Sequence, residues 1–348
     1  MRTILVTGGC GFIGSNFVRL IVAETDCKVV NLDKLTYAGN LANLADIDPT
    51  RMRFVGGDIC DRELVEAVFR DERPWAVVNF AAESHVDRSI LDSAPFLRTN
   101  TDGVRVLLDA ARHFRIDRFL QISTDETYGD KEGQATSNET SSLNPSSPYA
   151  ASKAAADLLC FSYRRTYELP VVITRSSNNY GPFQFPEKLI PLLIRNALKG
   201  MELPVYGDGG QIRDWLHVED NCRAILAVLE RGHVGAIYNI GTGEERTNLM
   251  VVDALCAAIA DQTGISLNAL KKLVCSVTDR PGHDRRYAID TSRVQRETGW
   301  HSQTAFDEGL RKTVRWYLDH QNWIASVTSG EYRNYYDSVY KRFWERST

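Results

Sequence analysis

Apolar residues, many of them Val and Ile, fall in short, nearly unbroken runs over positions 3–7, 28–32, 52–55, 75–80, 118–123 and 171–175. Runs of that length without polar alternation predict parallel strands buried on both faces. Between them, over 13–23, 62–70, 101–114 and 149–167, apolar residues recur every three to four positions, the period of helices that bury one face. Strand–helix–strand alternation predicts right-handed crossovers and a doubly wound α/β sheet.

The pattern changes after Asn178. Pro182, Pro186, Pro191 and Pro204 interrupt it, and glycines gather at Gly207, Gly209 and Gly210. Helical periods return over 219–230, 249–263 and 305–320. We therefore expect a large domain over 1–177 and a smaller α/β domain over 178–348. The second is expected to be discontinuous, with a segment near 215–240 returning to the large sheet. The aromatic stretch from Tyr332 to Trp344 reads as a docked amphipathic helix.

Composition narrows the class of protein. With 348 residues, 43% hydrophobic and 25% charged, the chain is long and apolar enough for a full core. A net charge of -4, from 41 Lys and Arg against 45 Asp and Glu, gives no overall pull toward nucleic acid or anionic membranes. No apolar run reaches the roughly 18 residues of a membrane span. The run after Met1-Arg2 is too short for a signal peptide. Seven scattered cysteines show neither metal-ligand nor paired spacing and read as reduced thiols of a cytoplasmic protein. No metal site is expected.

The first candidate chemistry is a glycine loop. Gly8-Gly9-Cys10-Gly11-Phe12-Ile13-Gly14 follows the first strand and opens the first helix. Glycines there let the backbone approach a pyrophosphate, which sits at the helix N-terminus. Asp33 ends the second strand, 19 residues beyond Gly14. A carboxylate there bonds a ribose diol and repels a 2′-phosphate, which favours NAD over NADP and gives the sheet its Rossmann character. Lys34 weakens that preference slightly. Asp58 is either an adenine contact or an ordinary turn aspartate.

Tyr149 and Lys153 form the second candidate. Ser147 and Pro148 suit the cap and first position of a helix, which places Tyr149 and Lys153 on one face. A tyrosine base near neutral pH must fall from about 10 toward 7, worth about 4 kcal/mol. One ammonium at ~4 Å supplies roughly that at an effective dielectric of ~20.

The third is the adjacent pair Asp125-Glu126, after the fifth strand and Thr124. Neighbouring strand residues point to opposite faces, so both carboxylates reach one substrate only if the chain leaves the strand at Asp125. In one cleft their proton affinities separate, leaving one acid and one base. A solvated acidic loop is the plainer alternative.

The glycine loop joined to Tyr-x-x-x-Lys resembles the extended short-chain dehydrogenase/reductase superfamily over essentially the whole chain. Ser123-Thr124-Asp125-Glu126-Thr127-Tyr128-Gly129 resembles the dTDP-glucose 4,6-dehydratase family more closely. So do the stretches 33–40, 81–89, 177–182, 185–191, 211–215 and 279–287. The resemblance implies conversion of a nucleoside-diphosphate glucose, dTDP-glucose first, to its 4-keto-6-deoxy sugar with tightly held NAD. Tyr149, helped by Thr124 and Lys153, would take the C4 hydroxyl proton, Glu126 the C5 proton, and Asp125 would protonate the departing C6 hydroxyl.

The resemblance further implies cofactor contacts at Gly8, Gly11, Phe12, Ile13, Gly14, Asp33, Lys34, Leu35, Thr36, Asp58, Ile59, Ala82, Thr99, Tyr149, Lys153 and Asn179. Substrate contacts would be Ser84, Thr124, Asn178, Lys188, Leu189, Pro204, Val205, Tyr206, Arg213, Asn248, Arg280 and His283. Arg213 and Arg280 suit a diphosphate, because a guanidinium fork matches phosphate oxygens. His85 reads as a packed histidine. A homodimer through the helices at 101–114 and 149–167 is implied. Cys10 stands where the family often has alanine, Thr127 where it often has valine, and 130–147 is short. A UDP- or other nucleotide-linked hexose remains open as substrate. So does a 4-epimerase, although related epimerases lack the Asp-Glu couple.

Overall fold

The structure, a computed structural model, describes residues 2–131, 133 and 135–328. The expected helix between Tyr332 and Trp344 lies outside the described residues. In the first half the elements run β1 (Thr3–Thr7), α1 (Phe12–Glu24), β2 (Lys28–Asp33), β3 (Met52–Gly56), α2 (Arg62–Glu72) and β4 (Ala76–Asn79). Then come α3 (Val86–Leu91), α4 (Ala94–Leu97), α5 (Val104–His113), β5 (Arg118–Thr124), α6 (Pro148–Tyr167) and β6 (Val171–Ser176). The second half holds β7 (Asn178–Tyr180), α7 (Leu189–Leu198), β8 (Leu203–Tyr206), β9 (Ile212–His217), α8 (Val218–Arg231) and β10 (Ile237–Ile240). It closes with β11 (Glu245–Thr247), α9 (Asn248–Thr263), α10 (Leu267–Lys271), β12 (Val274–Val277), α11 (Ser292–Thr298), α12 (Phe306–Asp319) and α13 (Gln321–Val327).

Among the described residues, seven strands form a parallel sheet in the order β10-β6-β5-β4-β1-β2-β3. The order reverses between β1 and β4, which opens a crevice at the carboxyl ends of those strands. Burial on both faces explains the unbroken apolar runs. Ile4 and Val6 of β1 pack with Phe17 and Ile21 of α1 and with Ile225 and Val228 of α8. Leu5 points the other way, into a cluster with Phe69 of α2, Leu107 of α5 and Ala156 of α6. The segment 218–240 thus adds a helix against α1 and an edge strand beside β6.

The smaller lobe has its own core. Ile190 and Leu193 of α7, Trp215 of β9, Val251 and Leu255 of α9, and Leu310 and Val314 of α12 share one cluster. Among the described residues the lobe also holds two small sheets, β11-β9-β7 and β12-β8. The fold is therefore an α/β doubly wound sheet with a smaller α/β lobe.

Two local features depart from the sequence expectation. Pro191 does not interrupt structure. It is the third residue of α7, where its missing N–H has no helical acceptor to lose. The helix expected over 101–114 begins instead as a π-helical turn, Arg98–Gly103. That turn presents Asn100 inward, where its side chain donates to the Glu83 carbonyl and to Ser152 Oγ, both at 2.9 Å. Side-chain bridging of this kind overrides the 3.6-residue period.

Candidate active site

The glycine loop lines a cavity of about 240 Å³ at the end of β1. Gly8 has φ +71, and a Cβ there would run into the Ala81 backbone at the exit of β4. A Cβ on Gly14 would meet the Gly8 carbonyl, so only glycine lets α1 sit this close to the loop. The N-terminus of α1 consequently faces the cavity, a cradle for an anionic pyrophosphate. Asp33 accepts N–H bonds from Cys10 and Leu35, both 2.8 Å, which holds its carboxyl against the loop. Burial raises its proton affinity and those two bonds lower it. Lys34 is paired with Asp58 at 2.8 Å.

Gly11, Phe12, Ile13, Thr36, Ile59, Ala82, Thr99, Tyr149 and Lys153 line the same cavity. Two expected cofactor residues do not. Leu35 is 41% exposed, with φ +54, and reaches the site only through its backbone N–H to Asp33. Asn179 lines the neighbouring cavity.

Ser147 caps α6, accepting the Ala150 N–H at 3.1 Å, with Pro148 at the first helical position. Tyr149 is then fixed by its own N–H, which donates to Ser89 Oγ at 3.2 Å. One turn later Lys153 Nζ donates to the Ile122 carbonyl at 2.6 Å. Burial pulls the Lys153 ammonium down to about 8, against the raising charge of Asp157. The Tyr149 phenol does not fall toward neutrality as its spacing from Lys153 suggested. Burial raises it, the charges of Glu126 and Asp125 add to that, and a Thr124 hydrogen bond opposes them.

The carboxylate pair occupies a 3-10 turn, Asp125–Tyr128, that starts directly after β5. Thr124 caps it, its Oγ1 accepting the Glu126 N–H at 3.3 Å. The chain leaves the strand at Asp125, the condition for both acids to serve one site. Gly129 ends the turn at φ +69, where a Cβ would collide with the Asn144 carbonyl. Asp125 is pushed up to about 8 by burial and then by Glu126. Glu126 is also raised by burial, but Arg280, Lys188 and Arg213 draw it back. One carboxyl therefore favours the protonated form while its neighbour faces three cations.

A second cavity of about 170 Å³ contains Glu126. Asn178, Lys188, Leu189, Pro204, Tyr206, Arg213, Asn248, Arg280 and His283 line it. Gln184, Glu187 and Lys188 line both cavities and mark their junction. Ser84 lines the first cavity, and Thr124 and the buried Asp125 line neither. Val205 is a correction. It is 3% exposed in the lobe's core, because alternation along β8 turns Pro204 and Tyr206 to the cavity and Val205 away.

Arg280 Nη1 pairs with Asp87 at 2.9 Å, and its buried Nε has no protein partner. Arg213 donates to the carbonyls of Ile212, 2.7 Å, and Asp284, 2.8 Å, and stacks on Tyr287. His283 contacts Asp279 at 2.6 Å and is drawn down to about 4, first by burial and then by Arg280, so it is neutral at pH 7.

Three buried acids escaped sequence reasoning. Asp87 accepts from Arg280 and Tyr206. Glu187, pushed up to about 7 by burial, sits at the cavity junction. Asp157 accepts from Ser123 at 3.0 Å and Arg175 at 2.9 Å beneath Lys153. Asp157 had a legible signal, since 149, 153 and 157 share one helix face.

Residues 5–313 match the family model described as GDP-mannose 4,6 dehydratase. The chain is 51% identical to the dTDP-glucose 4,6-dehydratase of Neisseria meningitidis serogroup B over 96% of its own length and 98% of that protein's. The chain belongs to the dTDP-glucose 4,6-dehydratase family. Among solved structures, a family member from Streptomyces venezuelae with NAD bound superposes with TM-score 0.87 at 46% identity, covering 94% of this chain and all (100%) of that one. The UDP-glucose 4-epimerase of Thermus thermophilus, also with NAD, gives TM-score 0.83 at 32% identity, covering 92% of this chain and 100% of that one. The dehydratase family thus shares its scaffold with epimerases, and the distinction must lie in the side chains around the sugar.

Proposed function

We propose that this protein dehydrates dTDP-glucose to dTDP-4-keto-6-deoxyglucose using NAD. The observation that supports the reading is the turn directly after β5 that carries Asp125 and Glu126, whose charges both act on the Tyr149 phenol, with a proton favoured on Asp125. An epimerase needs no acid and base pair for water loss. A dehydratase needs both.

The glycine cradle, Asp33 and the wall at Thr99 would hold NAD with its nicotinamide end toward Tyr149 and Lys153. Bound NAD supplies a hydride acceptor for C4, a hydride donor for C6 and the positive charge of the oxidised ring. Tyr149 would accept the C4 hydroxyl proton, with the positive ring of bound NAD offsetting the burial and carboxylate charge that hold its phenol high. The ketone so formed acidifies C5, and Glu126 removes that proton. Asp125 would donate its proton to the C6 hydroxyl, which leaves as water. As hydride returns to C6, Glu126 would give its proton back to C5, and the proton held by Tyr149 would restore Asp125. Each positioned proton transfer contributes about 10²–10⁴ in rate. Arg213 and Arg280 meet the diphosphate, with the unpartnered Arg280 Nε directed to that role.

A homodimer fits the surface. Ala151, Leu158 and Ser162 form an exposed stripe along α6, and Leu158 is 59% exposed. A second copy of the chain covers this face. All seven cysteines are free thiols, which suits a cytoplasmic enzyme. No helix among the described residues is long and apolar enough to cross a membrane.

The test is a panel of dTDP-, UDP- and GDP-linked hexoses followed by mass spectrometry. The dTDP-glucose reaction should yield a product lighter by one water. Unchanged masses across the whole panel would reject dehydration, and loss of water only from another nucleotide would move the substrate assignment.

A further inference from the structure

The turn after β2 carries Asp33, Lys34 and Thr36 into one wall of the dinucleotide cavity, and the segment before α7 carries Gln184, Glu187 and Lys188 into another. These walls belong to different lobes and are joined by a contact 150 residues apart in sequence, from the Tyr37 hydroxyl to Glu187 Oε1 at 2.8 Å. Tyr37 does not line the cavity itself. Its ring stands edge-on to Phe185, with centroids 5.4 Å apart at 84°. The Arg88 guanidinium lies 3.6 Å from the Tyr37 ring centroid and 3.5 Å from Glu187 Oε2. A phenol and a guanidinium outside the cavity lining thus close on a carboxylate within it, and Glu187 is only 6% exposed.

We infer that Tyr37 and Glu187 form a clasp joining the two walls of the cofactor cleft, so that release of the dinucleotide requires the clasp to open. The inference rests on the NAD reading above and adds the residues that govern retention. The chemistry gives retention a purpose. Hydride taken from C4 must return to C6 of the same sugar, so a reduced cofactor lost in mid-turnover strands the keto intermediate. Opening this buried hydrogen bond leaves the Tyr37 hydroxyl and the Glu187 carboxyl without each other, which is costly, and it must precede separation of the walls.

The test uses the holoprotein as purified. Bound NAD is exchanged against isotopically heavy NAD, and the released light cofactor is followed by mass spectrometry for the wild type, Tyr37→Phe, Glu187→Gln and the double variant. Tyr37→Phe keeps the ring packing and removes only the hydroxyl. We expect it to release NAD about tenfold to a hundredfold faster, with kcat at saturating NAD within about twofold of wild type. The double variant should release NAD more slowly than the product of the two single effects, because both changes act on the Tyr37–Glu187 contact, although Glu187→Gln also removes the charge facing Arg88. Release from Tyr37→Phe at the wild-type rate overturns the clasp while leaving the NAD reading intact. A wild-type protein that neither carries nor takes up NAD overturns the reading itself and the clasp with it.

Discussion

The Lys153 ammonium donates to the backbone carbonyl of Ile122 at 2.6 Å, and so ties helix α6 to strand β5 three residues before Asp125. Ser123, the next residue on β5, bonds Asp157 one helical turn beyond Lys153. The helix bearing Tyr149 is therefore fixed twice to the strand whose end carries the two acids. Any movement of the tyrosine relative to the carboxylates must break buried polar contacts, which would hold the three proposed proton-transfer groups together.

The proposed mechanism needs both Lys153 and Asp125 protonated. Burial sets Lys153 at about 8 and, with the charge of Glu126, Asp125 also at about 8. The kcat profile should fall steeply as pH rises through about 8. Asp157→Asn removes the charge that raises Lys153 and should move this limb to lower pH. A kcat flat to about pH 10, near the ordinary lysine value, would contradict the arrangement.

Asp125 also makes an unusual contribution to stability. Its carboxyl titrates near 3.8 when unperturbed and is raised to about 8 in the fold. Between those values the folded chain holds a proton that the unfolded chain has released, so stability declines as pH climbs from about 4 to 8. Asp125→Asn mimics the neutral form. Its melting temperature should match wild type near pH 4 and exceed it at pH 8, by the equivalent of a few kcal/mol at most. Dehydration should be lost in the same variant. Equal melting temperatures at both pH values would mean Asp125 is ionised in the fold.

Glu126 is assigned the C5 proton. Glu126→Gln should slow exchange of C5 hydrogen with deuterated solvent about 10²–10⁴-fold and leave NAD occupancy unchanged. Proton NMR of the sugar and cofactor release on denaturation check the two halves. Equal loss of both would make Glu126 a structural residue.

Much of this was legible in the chain. The buried strands announce themselves as unbroken apolar runs, and β1 occupies the expected residues 3–7. The glycine loop and the Tyr149–Lys153 face follow from local sterics and helix period, which sequence carries directly. Long-range partners do not. Nothing near Asn100 tells of Ser152, and nothing near Tyr37 tells of Glu187. Val205 was misplaced for a different reason: β8 alternates faces, and a position implied by resemblance does not report which side chain points inward. The pairwise argument with Lys153 could not show the burial and the charges of Glu126 and Asp125, which hold the Tyr149 phenol above its ordinary value.

The central claim is that hydride leaves C4, resides on a cofactor held in the site, and returns to C6 of the same sugar while water departs. dTDP-glucose carrying deuterium at C4 tests it directly, with the product read by mass spectrometry and NMR. The account predicts a product lighter by one water with the deuterium in the new C6 methyl group. Deuterium found still at C4, or a product of unchanged mass, would contradict it.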